Sequence, residues 1–312
     1  MKSTMRNVVI EPNQQTVLVT GGTGFVGKAL CQKLVQAGYQ VYVQSRKPES
    51  VSAICGDSVI GVGPFESIAD EVTFDIIINS TGEPIADKRW TDEQKRVIVD
   101  SRYGTTSRII DYINRAVKKP TLLINSSACG FYGDQGDAAL DEESLGKACF
   151  THEFTRKTEA KAFEAKAFGV RVAIVRTGIV LGLEGGMLQK TLPMFRKGMG
   201  GKMGNGRQWL PWIHIEDHVN LFMMIVKSSD LAGVFNGSAP YPVTNSEYTQ
   251  KLANAVGRNA RFGIPAWLLY LLMGERASVI LRGQRVIPKQ ALVSGFQFRY
   301  PKIEQALGDL VA

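Results

Sequence analysis

The 312-residue chain is 44% apolar and 21% charged, an ordinary globular composition, and carries a net charge of +8. Its lysines and arginines are dispersed, with no basic stripe interleaved with aromatics, which argues against nucleic acid but suits a phosphate-bearing ligand. Cys31, Cys55, Cys129 and Cys149 form no CxxC pair, which argues against a disulfide framework or a metal site and for a reducing compartment.

Residues 1–15 precede the first strand as an extension, and VVI at 8–10 is too short for a signal-peptide core. TVLVT (16–20) is the first predicted strand, and KALCQKLVQA (28–37) the first helix, ending at Gly38. Further strands follow at QVYVQS (40–45), DIIIN (75–79), TLLINSS (121–127) and VRVAIVR (170–176). Between them a long helix over 91–117 opens with Thr91 and has Gln94 three later, a capping-box spacing. The strands are continuous apolar runs, as expected when both faces of a sheet are covered. The expected fold is α/β: a Rossmann-type doubly wound parallel sheet with a smaller mixed C-terminal lobe. Glycines crowd 178–206, so the division is placed at 16–184 for the sheet domain and 185–312 for the lobe, with some later segments returning to the sheet. IPAWLLYLLMG (264–274) falls short of the ~20 residues of a membrane span. Its WLLYLLM reads as buried helix packing, or else as a surface that holds a partner. A soluble, cytoplasmic protein is expected.

The loop TGGTGFVG (20–27) follows a strand and opens a helix, the context that gives such glycines meaning. Gly21 allows a tight turn, Gly24 lets the backbone approach a pyrophosphate, and Gly27 lets the helix pack on the strand. Thr23, Phe25 and Val26 complete this expected phosphate cradle at a helix N-terminus. After the second strand an NAD site would carry a carboxylate for the ribose hydroxyls. The chain has Gln44-Ser45-Arg46-Lys47 instead. Ser45 and Arg46 are therefore read as a 2′-phosphate site, and the cofactor as NADP(H). The alternative is that Arg46 and Lys47 are solvated loop charges.

At this point the chain resembles the extended, epimerase-like branch of the short-chain dehydrogenases/reductases. It is similar in particular to the epimerase-family NADP-dependent oxidoreductases of ill-defined substrate. The matching stretches are NSTGEPIADKRWT (79–91), SSACGFYGDQGD (126–137), RTGIVLGLEGGML (176–188), GRQWLPWIHIEDH (206–218) and QRVIPKQALVSGFQFRYP (284–301). The resemblance implies a bound nicotinamide dinucleotide and a substrate pocket between sheet and C-terminal lobe. By position it puts Thr81, Gly82 and Glu83 along the cofactor, Ser126 and Ser127 at the fifth strand's end, and Arg176 to Val180 near the nicotinamide. Ser127 would take the substrate-orienting place.

Two departures stand out. The helix that the resemblance implies about two dozen residues beyond Ser127 reads FTHEFTRKTEAKAF, 150–163, and lacks the family's Tyr-x-x-x-Lys pair: Thr155 holds the Tyr position and Glu159 the Lys position. Threonine is too weak an acid, and a carboxylate raises a neighbouring acid's pKa. Lys157 and Lys161 point off the face that Thr155 and Glu159 share. Tyr132 is the first substitute proton donor and His214 the second, each with a plain packing or capping role as its alternative. Leu210 stands where sugar-nucleotide epimerases carry a diphosphate-binding Arg, so Trp209, Leu210 and Trp212 are read as an apolar pocket wall, with core packing of both tryptophans as the alternative. The expected function is an NADP(H)-dependent oxidoreductase acting on a fairly apolar carbonyl or ene. A non-catalytic NADP(H) sensor and a sugar-nucleotide epimerase or dehydratase are the alternatives. The expected partner is a small-molecule substrate, with a second copy of the chain a further one.

Overall fold

Seven parallel strands form one sheet in a computed structural model that describes residues 14–260 and 262–311. They are β1 (Thr16–Thr20), β2 (Gln40–Gln44), β3 (Val59–Val62), β4 (Ile76–Asn79), β5 (Leu122–Ala128), β6 (Arg171–Thr177) and β7 (Gly233–Gly237). Their spatial order is 7-6-5-4-1-2-3. β1 pairs with β2 on one side and β4 on the other, so the winding reverses there and leaves a crevice beyond the strand C-termini. Residues 1–13, most of the expected extension, lie outside the described residues.

The sheet is covered on both faces, which is why its strands read as unbroken apolar runs. Val17 and Val19 of β1 point into a layer with Leu30, Cys31 and Leu34 of α1 (Phe25–Gln36). Leu18, between them, points into the opposite layer, against Ile109, Tyr112 and Ile113. All three β1 side chains are fully buried, worth about 1.5–3 kcal/mol each on folding.

Two strands escape the sequence reading. β3 is four residues long and contains Gly61, and β7 is framed by Gly233 and Gly237, so neither shows an unbroken β-branched run. The long helix is also not uniform. It consists of α2 (Asp92–Val99), a π-helical stretch Asp100–Gly104, and α3 (Thr105–Arg115). Only half of its capping box forms. Thr91 Oγ1 accepts from Gln94 N at 3.1 Å, but the Gln94 side chain donates to Glu83 instead of turning back. Helix α4 spans Phe150–Phe163, the predicted bounds.

The C-terminal lobe has its own core, in which Leu188, Leu192, Phe195, Trp212, Tyr248 and Leu307 meet. α5 (Ile215–Lys227) leaves that lobe and packs under the sheet through Leu221, Phe222 and Ile225. The expectation of buried packing for WLLYLLM is overturned. In α6 (Ala266–Met273) only Leu269 is buried, while Trp267, Leu271 and Leu272 are 68%, 69% and 66% exposed. Composition alone does not distinguish a helix sunk in a core from one lying on it.

Candidate functional site

The glycine loop sits at the crevice between β1 and β4. Gly21 has φ +70°, and a Cβ there would meet the Ser80 carbonyl oxygen at 2.7 Å. Gly24 caps α1 without a side chain, and no acidic residue occupies the first turn. The first N–H groups of α1 and its positive dipole end therefore remain available to an anion. A Cβ on Gly27 would stand 2.1 Å from the Gly21 oxygen, so helix and loop meet only because both residues are glycine. Thr23 and Gly24 are exposed and Val26 half-buried. The Phe25 ring lies against Gly182 and Gly185, and Lys28 pairs with Glu184 at 2.9 Å. Phe25 thus docks a second loop onto the helix start.

At the end of β2, Ser45 Oγ accepts from Lys47 N at 3.1 Å, folding the turn and leaving Arg46 and Lys47 exposed. Neither basic side chain forms an ion pair among the described residues. The strand ends themselves are pinned by a buried polar cluster. Thr20 Oγ1 donates to Asn79 Oδ1 at 2.6 Å, and Asn79 Nδ2 donates to Asn125 Oδ1 at 2.7 Å and Thr106 Oγ1 at 3.1 Å. Such a satisfied network fixes the crevice floor. Thr81 N donates to Asn79 Oδ1 at 3.2 Å, and Gly82 is exposed. The Glu83 carboxylate accepts from Lys88 at 2.9 Å, a contact that lowers its pKa, so it braces its own loop.

Beyond β5 the expected chemistry is rearranged. Thr155 and Glu159 share the buried face of α4. Thr155 Oγ1 donates to the Thr151 carbonyl at 2.7 Å, so its proton is committed to its own helix. Glu159 is not the isolated carboxylate that the sequence suggested. Arg176 grips it with two bonds, Nε to Oε1 at 3.0 Å and Nη2 to Oε2 at 2.8 Å. Burial opposes the charge of Arg176, but Glu159 outweighs it and holds its pKa above the usual guanidinium value. Ser127, half-buried at the end of β5, donates to Glu159 Oε1 at 2.6 Å. Ser126 is half-buried beside it, and its carbonyl accepts from Asn125.

Arg176 is turned inward by the same geometry. Its third nitrogen, Nη1, donates to Tyr132 OH at 3.0 Å, and its guanidinium stacks 3.4 Å from the Phe131 ring centre. Tyr132 is turned inward too, against its expected role as proton donor. It is fully buried, donates to Asn236 Oδ1 at 2.7 Å, and burial pushes its phenol pKa up. It cannot present a proton to the crevice. His214, the second candidate, caps α5: its Nδ1 accepts from Glu216 N at 3.1 Å. Its ring stacks 4.0 Å from Tyr300, and Nε2 stands 3.3 Å from Asp309, so it docks the C-terminal helix Ile303–Val311. Burial pulls its pKa down.

The apolar wall also moves. Trp212 is fully buried in the lobe core and Leu210 nearly so. Trp209 is half-buried, donating to Asp137 at 2.7 Å under the Arg285 guanidinium. A different aromatic group was missed. Trp90 meets Phe150 at 4.9 Å, and Phe150 meets Phe154 at 5.3 Å on α4 beside Thr155. The signal was present in sequence as Phe150 and Phe154, four apart on one helix face.

Comparison with known proteins agrees with this architecture. Residues 17–236 match the model of the NAD dependent epimerase/dehydratase family, and residues 264–310 match a domain of unknown function, DUF1731. The Arabidopsis thaliana "Epimerase family protein SDR39U1 homolog, chloroplastic" is 36% identical over 319 residues, covering 98% of this chain and 91% of the relative. The crystal structure of human epimerase family protein SDR39U1 with NADPH superposes with a TM-score of 0.86 at 32% identity, over 95% of this chain and 99% of that one. A UDP-galactose 4-epimerase structure superposes at 0.74 with 18% identity, over 95% and 97% of the two chains, a likeness of fold alone.

Proposed function

The chain belongs to the NAD dependent epimerase/dehydratase family, and from that premise we propose that it is an NADP(H)-dependent oxidoreductase acting on a small carbonyl or ene compound. The observation that carries this reading is the pairing of an uncapped helix N-terminus behind Gly21, Gly24 and Gly27 with two exposed cations at the end of β2, Arg46 and Lys47, that form no ion pair among the described residues. The first suits a pyrophosphate and the second an additional phosphate. The NADPH held by the similar human protein supports the choice. In this reading Ser45, Thr81, Gly82 and Ser126, at or just past the ends of β2, β4 and β5, would border the bound dinucleotide. When bound, the cofactor supplies a hydride.

Proton supply follows from the hydrogen bonds. Thr155, Tyr132 and Ser127 all have their hydroxyl protons committed, to Thr151, Asn236 and Glu159 respectively. Ser127 therefore offers lone pairs to the crevice and orients a substrate donor, and the product's proton comes from water. Positioning beside the cofactor supplies the rate that a dedicated acid would otherwise add. Glu159 and Arg176 hold Ser127 in place as a neutral pair.

The commitment of every expected donor also favours a second reading, an NADP(H) sensor without turnover, with exposed α6 meeting a partner. Calorimetry with NADPH, NADP⁺ and NADH tests the cofactor half. Tighter binding of NADPH than NADH is expected, and Arg46→Ala should weaken NADPH by about tenfold while sparing NADH. Equal binding of NADPH and NADH would remove Arg46 from the account. Oxidation of NADPH across a panel of carbonyls and activated alkenes separates enzyme from sensor.

A further inference from the structure

We propose that Arg102 is the anion receptor of the crevice, and that the substrate carries a carboxylate next to its reducible group. The inference rests on the crevice being the substrate site of an NADP(H) oxidoreductase.

Arg102 lies in the π-helical stretch Asp100–Gly104 between α2 and α3. A π turn takes an extra residue and so redirects the side chains it carries, and such turns recur at functional sites. The guanidinium enters the crevice between two walls. On one side it faces Gly82, after β4: a Cβ there would meet Nη2 at 2.8 Å and Nε at 3.2 Å. On the other it lies 5.3 Å from the Phe154 ring on α4, one residue from Thr155. Among the described residues it forms no ion pair, although the Glu83 carboxylate is near enough to favour its charge. Nη1 donates to the Ile98 carbonyl at 3.2 Å and to Ser101 Oγ at 3.4 Å, both neutral. Nε and Nη2 donate to no acceptor among the described residues. The acid on the neighbouring loop, Glu83, is bound to Lys88.

A half-buried cation without a direct ion pair is unfavourable in the free protein, and an incoming anion relieves it. Burial draws its pKa down to about 10, against a smaller opposing pull from Glu83. Nε and Nη2 form one edge of a planar fork, which matches the two oxygens of a carboxylate. The Phe154, Phe150 and Trp90 rings beside it suit an apolar or aromatic body. Gly82 keeps the approach free, because a side chain there would push the guanidinium aside.

The test uses the full chain saturated with NADP⁺, titrated calorimetrically with benzoylformate and with its neutral methyl ester. The wild type should bind the acid at least about tenfold tighter than the ester. Arg102→Gln should lose that preference while retaining its NADP⁺ affinity within about threefold, and Arg102→Lys should recover part of it. Circular dichroism verifies that both variants are folded. Equal affinity for acid and ester in the wild type, including no binding of either, overturns the proposal. So does an Arg102→Gln protein that still prefers the acid. An Arg102→Gln protein whose main loss is NADP⁺ affinity also overturns it, by giving the guanidinium to the cofactor. Failure of the wild type to bind NADP⁺ at all defeats the cofactor reading first and this inference with it, and the two failures are told apart before any acid is added.

Discussion

Replacing Glu159 by Gln isolates the buried ion pair that stands where a catalytic pair is expected. Both side chains are 6% exposed, and three donors converge on the carboxylate: Ser127 Oγ and Arg176 Nε on Oε1, Arg176 Nη2 on Oε2. An amide offers one acceptor in place of two. With its oxygen at the Oε1 position, its NH₂ faces Arg176 Nη2 donor to donor. With the amide flipped, the NH₂ faces Arg176 Nε instead. Either way a buried guanidinium loses its counter-charge, which costs about 3–5 kcal/mol. Urea unfolding, extrapolated linearly, measures this directly. The double variant Glu159→Leu/Arg176→Met removes both charges and should be more stable than Glu159→Gln alone. A Glu159→Gln protein within about 1 kcal/mol of wild type would refute the reasoning. So would a double variant that simply adds the two single losses.

Gly27→Ala should abolish NADPH binding and lower stability by about 1–3 kcal/mol, because its Cβ meets the Gly21 oxygen at 2.1 Å; calorimetry and thermal unfolding report the two effects. Tyr132→Phe should cost about 1–3 kcal/mol by stranding Asn236 Oδ1 and Arg176 Nη1, yet leave the NADPH dissociation constant within about threefold. His218 is fully buried and burial pulls its imidazole down to about 4, whereas the unfolded chain takes up that proton near 6.5. Native stability is therefore intact above pH 6.5 and should fall by about 1.4 kcal/mol per pH unit from there toward pH 4. His214 is shifted in the same direction, and His218→Leu should flatten the slope in urea titrations.

Local rules made much of this fold legible. β1 was read over its full length because TVLVT is β-branched and continuous, and α4 because the family resemblance implies a helix about two dozen residues beyond Ser127. The left-handed turn at Gly21 and the close contact at Gly27 are likewise local. What escaped depends on partners distant in the chain. Tyr132 looked available because Asn236, which accepts its proton, lies 104 residues away. Glu159 looked like a free carboxylate because its counter-charge arrives only when α4 packs against β6. Trp212 looked like a pocket wall, but whether a tryptophan lines a pocket or fills a core is decided by what the lobe folds around it. Arg102 went unnoticed for another reason: a π turn carries no periodicity signal, and the residue reads as one more surface charge on a long helix.

That irregular turn ties together the seating of a helix and the aim of a side chain. The stretch Asp100–Gly104 puts the halves of the long helix out of phase. Ile109, Tyr112 and Ile113 hold one half to the sheet, while Ile98 is sealed in the other. Deleting a residue to restore even winding would rotate one half against the other by about 100°. Either the downstream apolar face would leave the sheet or the guanidinium would swing out of the crevice. The seating of α3 on the sheet and the aim of the Arg102 side chain are therefore set by the same five residues.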